Sequence, residues 1–279
     1  MRNRDLKTGL LICFIVQFLT LRSLAIERIT ATGAREVALS QAAVALPGYF
    51  SVFHNQALLT ESKSAALAVC YRQPYFIKGY HESALSLVYP IHAAVLAIGV
   101  TQSSIASYKE SSLGISIAKV LTRRLSAGIL FNYTFFNLPE VNHFASSFQF
   151  DGGVFYQYSD KFSLGLHFRN LLQTNVETFQ YKFYFPFVVR CGASYALTEK
   201  ILLVGETALD KNSGNGLRFG SECKITTNFM LRGGLTTKPF QHSFGFGYIW
   251  NLCQLDFALV HHEILGYSPF LSVNFKFNK

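Results

Sequence analysis

Twelve ionisable residues fall on the polar side of alternating segments: Arg72, Glu82, Asp151, Arg169, Lys182, Arg190, Glu206, Arg218, Glu222, Lys224, Arg232 and Asp256. A set of mixed sign does one of two things. It pairs into a structural charge network, or it lines a path for a substrate, because ionisable groups carried into a membrane span are candidates for function. A carboxylate dyad is not indicated, since neither Asp151 nor Asp256 has a second acid two positions away on its own face. His261 and His262 are adjacent, so in a strand they point to opposite faces and read as a polar pair at a strand end. Cys70, Cys191, Cys223 and Cys253 show no C-x-x-C pair and no His/Cys ligand spacing. Each lies in an apolar run, which fits small buried or lipid-facing side chains better than ligands or bridges. There is no G-x-S-x-G, no H-E-x-x-H, no Walker-type loop and no dinucleotide fingerprint. The expectation is a non-enzyme with no catalytic residue, no metal and no cofactor.

What must hold these charges is set by composition. Of 279 residues 50% are hydrophobic and 15% charged, and the mean hydropathy is +0.24, which excludes a disordered chain. With 27 Phe and 14 Tyr against 2 Met, the apolar set favours strands. Basic residues exceed acidic ones, 25 to 16, but they do not cluster along the mature chain, so no nucleic-acid partner is expected. Residues 1–25 read as a cleaved export signal: Arg2, Arg4 and Lys7, an apolar run from Gly9 to Leu21, then Ser23-Leu24-Ala25.

From Ala65 to Lys279 apolar residues alternate with period two, the signature of strands. Segments begin near Ala65, Tyr80, His92, Ser111, Arg124, Ser146, Phe162, Lys182, Lys200, Gly216, Asn228, Gln241, Gln254 and Pro269, which makes fourteen, or twelve if weak segments such as Gly79–Pro90 fail. Their connections alternate between short turns, such as Leu121–Arg124 and Leu197–Lys200, and longer loops, such as Ser103–Glu110 and Gln173–Gln180. An even number of strands with tight turns at one end and loops at the other is the layout of a transmembrane outer-membrane β-barrel, embedded in outer-membrane lipid. Tyr71, Tyr89, Tyr133, Tyr156, Tyr158, Tyr195, Tyr248 and Trp250 lie near strand ends, where an interfacial girdle belongs. Such a barrel would carry the charges inward as lumen-facing groups.

Residues 26–64 do not alternate and precede the first strand as an N-terminal plug. Gly33-Ala34-Arg35, a run of small residues, and Asn55-Gln56-Ala57 resemble the N-terminal hatch of the PorV/PorQ family of outer-membrane barrels, related to the FadL-type hydrophobic-compound transporters. Gln56 stands where that pattern has Pro, and Asn278 and Lys279 follow the terminal aromatic Phe277. The resemblance implies plug-motif roles for Gly33, Ala34, Arg35, Asn55 and Ala57. Its PorV/PorQ side implies a component of type IX protein secretion or surface attachment that docks a translocon or cargo protein. Its FadL side implies passive uptake of a hydrophobic ligand through a lateral opening. Outer loops of only about 8 to 12 residues favour docking, because capture of an apolar ligand needs a roofed cavity.

Overall fold

The computed structural model describes residues 32–138, 143–177, 182–210 and 216–277. The export signal expected over 1–25 lies outside them. Fourteen antiparallel strands close into one barrel: β1 (Ala66–Arg72), β2 (Tyr80–Pro90), β3 (Val95–Ile105), β4 (Tyr108–Val120), β5 (Leu125–Leu138), β6 (His143–Gln157), β7 (Phe162–Arg169), β10 (Val188–Ala196), β11 (Ile201–Asp210), β12 (Gly216–Lys224), β13 (Phe229–Thr237), β14 (Phe240–Trp250), β15 (Cys253–His262) and β16 (Gly266–Lys276). Between β7 and β10 the chain forms a separate two-stranded hairpin, β8 (Asn175–Glu177) and β9 (Lys182–Tyr184). The last strand pairs with the first from Ala66↔Lys276 to Arg72↔Phe270, so no edge is left open. Closure is what lipid demands, because backbone N–H and C=O groups have no water to bond there. No helix among the described residues is long and apolar enough to cross a membrane.

Period-two burial explains which face meets lipid. In β4, Leu113, Ile115 and Ile117 point outward at 45%, 58% and 43% exposure, while Ser112 and Ser116 point inward and are buried. Large apolar side chains outside and serines inside invert the pattern of a soluble sandwich. Tyr89, Tyr158, Tyr195, Tyr248 and Trp250 are exposed at the short-turn end. Edge contacts link Tyr158 to Phe162 and Phe162 to Tyr195.

Four of the short turns share one device. The hydroxyls of Thr122, Ser159, Thr198 and Thr226 each accept from the backbone N–H groups two and three residues on, which fixes the reversal.

Two expectations about the other end are corrected. The strand placed from Lys182 begins at Val188, and Lys182 belongs to β9 outside the barrel wall, so it is not one of the wall's lumen-facing positions. Pro186 keeps the wall's ladder from extending back past Val188, since a proline cannot donate to it. The loop expected at Ser103–Glu110 shrinks to a two-residue reversal between Ile105 and Tyr108, because both strands continue past the apolar belt. The long connection is instead residues 170–187.

Candidate functional site

Residues 32–64 fill the barrel. After Gly33, whose φ of 88° requires glycine's freedom, come α1 (Ala34–Ala38), a coil to Phe50, α2 (Ser51–His54) and a 3-10 turn at Gln56–Glu61. Ala34, Val37, Leu39, Val44, Phe50, Val52 and Leu59 are no more than 1% exposed. The wall makes room with inward glycines: a Cβ on Gly165 would strike the Val44 carbonyl, one on Gly220 would lie 2.8 Å from Leu39 Cβ, and one on Gly128 would lie 2.6 Å from the Gln56 backbone.

Charges lock this segment to the wall. Arg35 Nε and Nη2 donate to Glu222 at 2.8 and 3.0 Å. Glu222 also accepts from Arg232 Nε at 2.6 Å, and Arg232 Nη1 reaches Asp256 at 2.6 Å. A second group centres on Glu206, which takes Arg190 Nε at 2.7 Å, Arg218 Nη1 at 3.2 Å and the backbone N–H groups of Ala43 and Val44 at 2.9 Å each. Asn55 is fully buried; its amide donates to the carbonyls of Val44 and Val154, and its oxygen accepts from Ala57 N. Ala34 N donates to Ser272 Oγ at 2.8 Å. All five plug-motif residues therefore sit in the lumen. Gln56, in the expected Pro position, is buried with its amide on the Val52 carbonyl.

Electrostatics differ along the segment. Burial alone would lower the Arg35 guanidinium, but the Glu222 carboxylate overrides it and holds Arg35 above its usual range. Burial pushes the Glu36 carboxyl up to about 7, against the pull of Arg35. Burial, then the Arg190 charge, brings His54 down to about 4, where its Nε2 contacts both the hydroxyl and the carbonyl of Thr32.

Cavities lie at both ends of the barrel among the described residues. The outer cavity, about 460 Å³, lies between the Phe53 side of the plug and β1 to β7. Arg72 donates to Glu82 at 2.8 Å there, Tyr80 donates to the same carboxylate at 3.0 Å, and Tyr108 donates to Glu110 at 3.2 Å. Asp151 and Arg169 line it as well. The inner cavity, about 550 Å³, opens among the short turns and is lined by Arg35, Glu222, Arg232, Lys200, Lys224 and Lys276, among others.

The wall beside the outer cavity is interrupted. β6 pairs with β5 from His143 to Tyr156, but β7 meets it only from Gly152 to Gln157. Along its outer half, β6 is met by the returning chain: Leu171 N donates to the Phe150 carbonyl at 2.8 Å and Thr174 Oγ1 to the Phe148 carbonyl at 2.6 Å. Asn170, 1% exposed with φ of 54°, makes the turn, its N–H on Asp151 and its amide on the Phe185 carbonyl. Phe185 then stacks on inward Phe136 at 5.9 Å, so this connection roofs part of the lumen. Outside the gap, Phe148 contacts Phe131 at 5.4 Å and Tyr133 at 4.7 Å.

Of the lumen charges expected from sequence, Arg190, Glu206, Arg218, Glu222, Arg232 and Asp256 join the locking groups, while Arg72, Asp151 and Arg169 face the outer cavity. The four cysteines are free, and His262 Nδ1 accepts from Ile264 and Leu265 N at a strand-end turn. Asn170, Phe185, Tyr80 and Tyr108 carry no sequence motif that marks them as part of the site. The only signal for Asn170 is the left-handed tolerance of asparagine, which a sequence does not display.

No family model matches the chain, and no curated protein matches it. Its structure resembles the CymD monoaromatic hydrocarbon channel, at a TM-score of 0.70 and 14% identity over 90% of this chain and 99% of that one. It resembles the Ralstonia pickettii toluene transporter TbuX at 0.68 and 11%, covering 90% and 100%, and a Pseudomonas aeruginosa FadL homologue at 0.66 and 12%, covering 88% and 98%. The chain thus has the fold of the FadL-type outer-membrane barrels.

Proposed function

We propose that the protein resides in the bacterial outer membrane and admits a small hydrophobic molecule, which enters the outer cavity and leaves sideways through the wall where β7 stops short along β6. The carrying observation is the interruption itself. Magnitudes favour that exit over an axial one. Releasing the 170–174 turn from β6 breaks a few hydrogen bonds, worth about 0.5 to 1.5 kcal/mol each where both partners are neutral and about 1.5 to 3 kcal/mol for the one to the Asp151 carboxylate. Withdrawing the plug would strand several buried charges, each pair costing about 3 to 5 kcal/mol when one partner is lost. The aromatic patch of Phe131, Tyr133 and Phe148 stands on the lipid side of the gap to receive an apolar molecule. Two of the named structural neighbours are a monoaromatic hydrocarbon channel and a toluene transporter, which supports uptake over the secretion-docking role that the PorV/PorQ resemblance implies. The connection at 170–187 also supplies the roof that the short expected loops lacked.

Cells expressing the protein should take up labelled toluene faster than cells without it. With Gly152→Cys and Leu171→Cys in a background whose native cysteines are Ala, a short thiol cross-link should return uptake to background, and cleaving the link should restore it. Uptake unchanged by the closed link would refute the lateral route.

A further inference from the structure

Cations that are scattered in sequence are gathered by the fold at one end. Lys200, Lys224 and Lys276 terminate inward-facing rows of β11, β12 and β16, and Lys63 leaves the plug beside them; all four are exposed and line the inner cavity. None of the four has an ion-pair partner among the described residues, although Lys276 lies over the Tyr49 ring at 5.8 Å. In the floor, Arg232 turns Nη2 only toward the Met230 thioether at 3.7 Å, a weak acceptor for a buried guanidinium. Lys119, Arg123, Arg124 and Lys161 carry the positive field around the adjoining turns; of the acids at this end, Glu61 and Glu199 line the cavity beside the lysines and Asp160 lies on a neighbouring turn.

We propose that the inner cavity and this rim dock an acidic peptide segment of a protein on the short-turn side of the membrane. The cavity lies within the barrel mouth, away from the lipid-facing surface, so a phospholipid headgroup does not reach it. The cations are spread over separate turns instead of converging on a point, which suits an extended polyanion over a compact one. Six basic side chains line the cavity against Glu61, Glu199 and Glu222, the last already paired with Arg35 and Arg232, so the field inside the concave wall is net positive and speeds the encounter. This reading is independent of uptake through the outer cavity.

The probe is a fluorescent octaglutamate peptide, titrated by anisotropy against the full chain in neutral detergent. Wild type should bind, more weakly as salt rises. The triple variant Lys200→Gln, Lys224→Gln, Lys276→Gln should lose at least about tenfold in affinity, whereas Arg123→Gln, Arg124→Gln, outside the cavity, should lose less. Circular dichroism and heat-modified gel mobility should match wild type in both, because every substituted side chain is exposed. Equal binding by the triple variant would overturn the proposal. So would pyrophosphate displacing the peptide at equal ionic strength and micromolar concentration, which would make this a small-anion site.

Discussion

The two cavities are similar in volume, about 460 and 550 Å³, yet they are built on opposite terms. At the outer one, Arg72 is matched by Glu82, and the wall alongside is held by a turn and a few hydrogen bonds, one of them to Asp151. At the inner one, lysines stand unmatched, and the wall is unbroken ladder, with β10 paired to β11 from Val188↔Asp210 to Ala196↔Leu202 and β12 to β13 from Arg218 to Lys224. A filled barrel of this kind is weakest beside its outer cavity and most charged beside its inner one. The plug separates the two roles, so loosening the plug is the way to break the contrast.

The largest effect is expected at Arg232. Replacing it with Ala leaves Glu222 and Asp256 buried without their shared partner, and loss of one member of a buried pair costs about 3 to 5 kcal/mol. The floor of the inner cavity should give way, seen as a lower urea midpoint in detergent micelles and as ion conductance in planar bilayers that wild type lacks. A variant that is as stable and as tightly closed as wild type would show that the charge network does not hold the partition.

Asn55 tests the other side of the plug. Asn55→Ala orphans the Val44 carbonyl and the Ala57 N–H and removes the plug's bond to the Val154 carbonyl, at about 1 to 3 kcal/mol. Because these bonds anchor the plug to β6 near the interruption, the expected outcome is protease sensitivity in residues 44–57 at denaturant levels where wild type resists. Unchanged cleavage would place the anchor elsewhere.

How much of this was legible follows from which interactions are local. Strand phase and turn positions were, since alternation and residues such as Thr122, Thr198 and Thr226 act within a few positions. The inward charges were legible as a set, because phase alone decides the face. Their partners were not: Arg35 meets Glu222 and Ala43 meets Glu206 only after the barrel closes around the plug. The basic rim was invisible for the same reason, as Lys63, Lys200, Lys224 and Lys276 are far apart along the chain. Lys182 misled because alternation continued through a hairpin that never joins the wall.

The last effect is a pH dependence that distinguishes the two sides of the plug. Glu36 lies behind the inner cavity, against Gly48, while His54 bonds Thr32 at the outer one. Glu36 in the folded chain holds its proton up to about 7, against an ordinary value of 4.5. The folded state therefore binds more protons than the unfolded one across that window, and stability falls as pH rises through it. His54, lowered from 6.5 to about 4, does the reverse: the unfolded chain takes up a proton that the folded one refuses, and stability falls as pH drops from 6.5 to 4. Where the windows overlap, the two oppose each other. Glu36→Gln removes the first alone, so the difference between variant and wild type should be near zero below pH 4.5 and should grow to about 3 kcal/mol in favour of the variant by pH 8. Urea unfolding at pH 4.5, 6 and 8 measures it, and a difference that does not change with pH would mean that the Glu36 carboxyl is charged throughout.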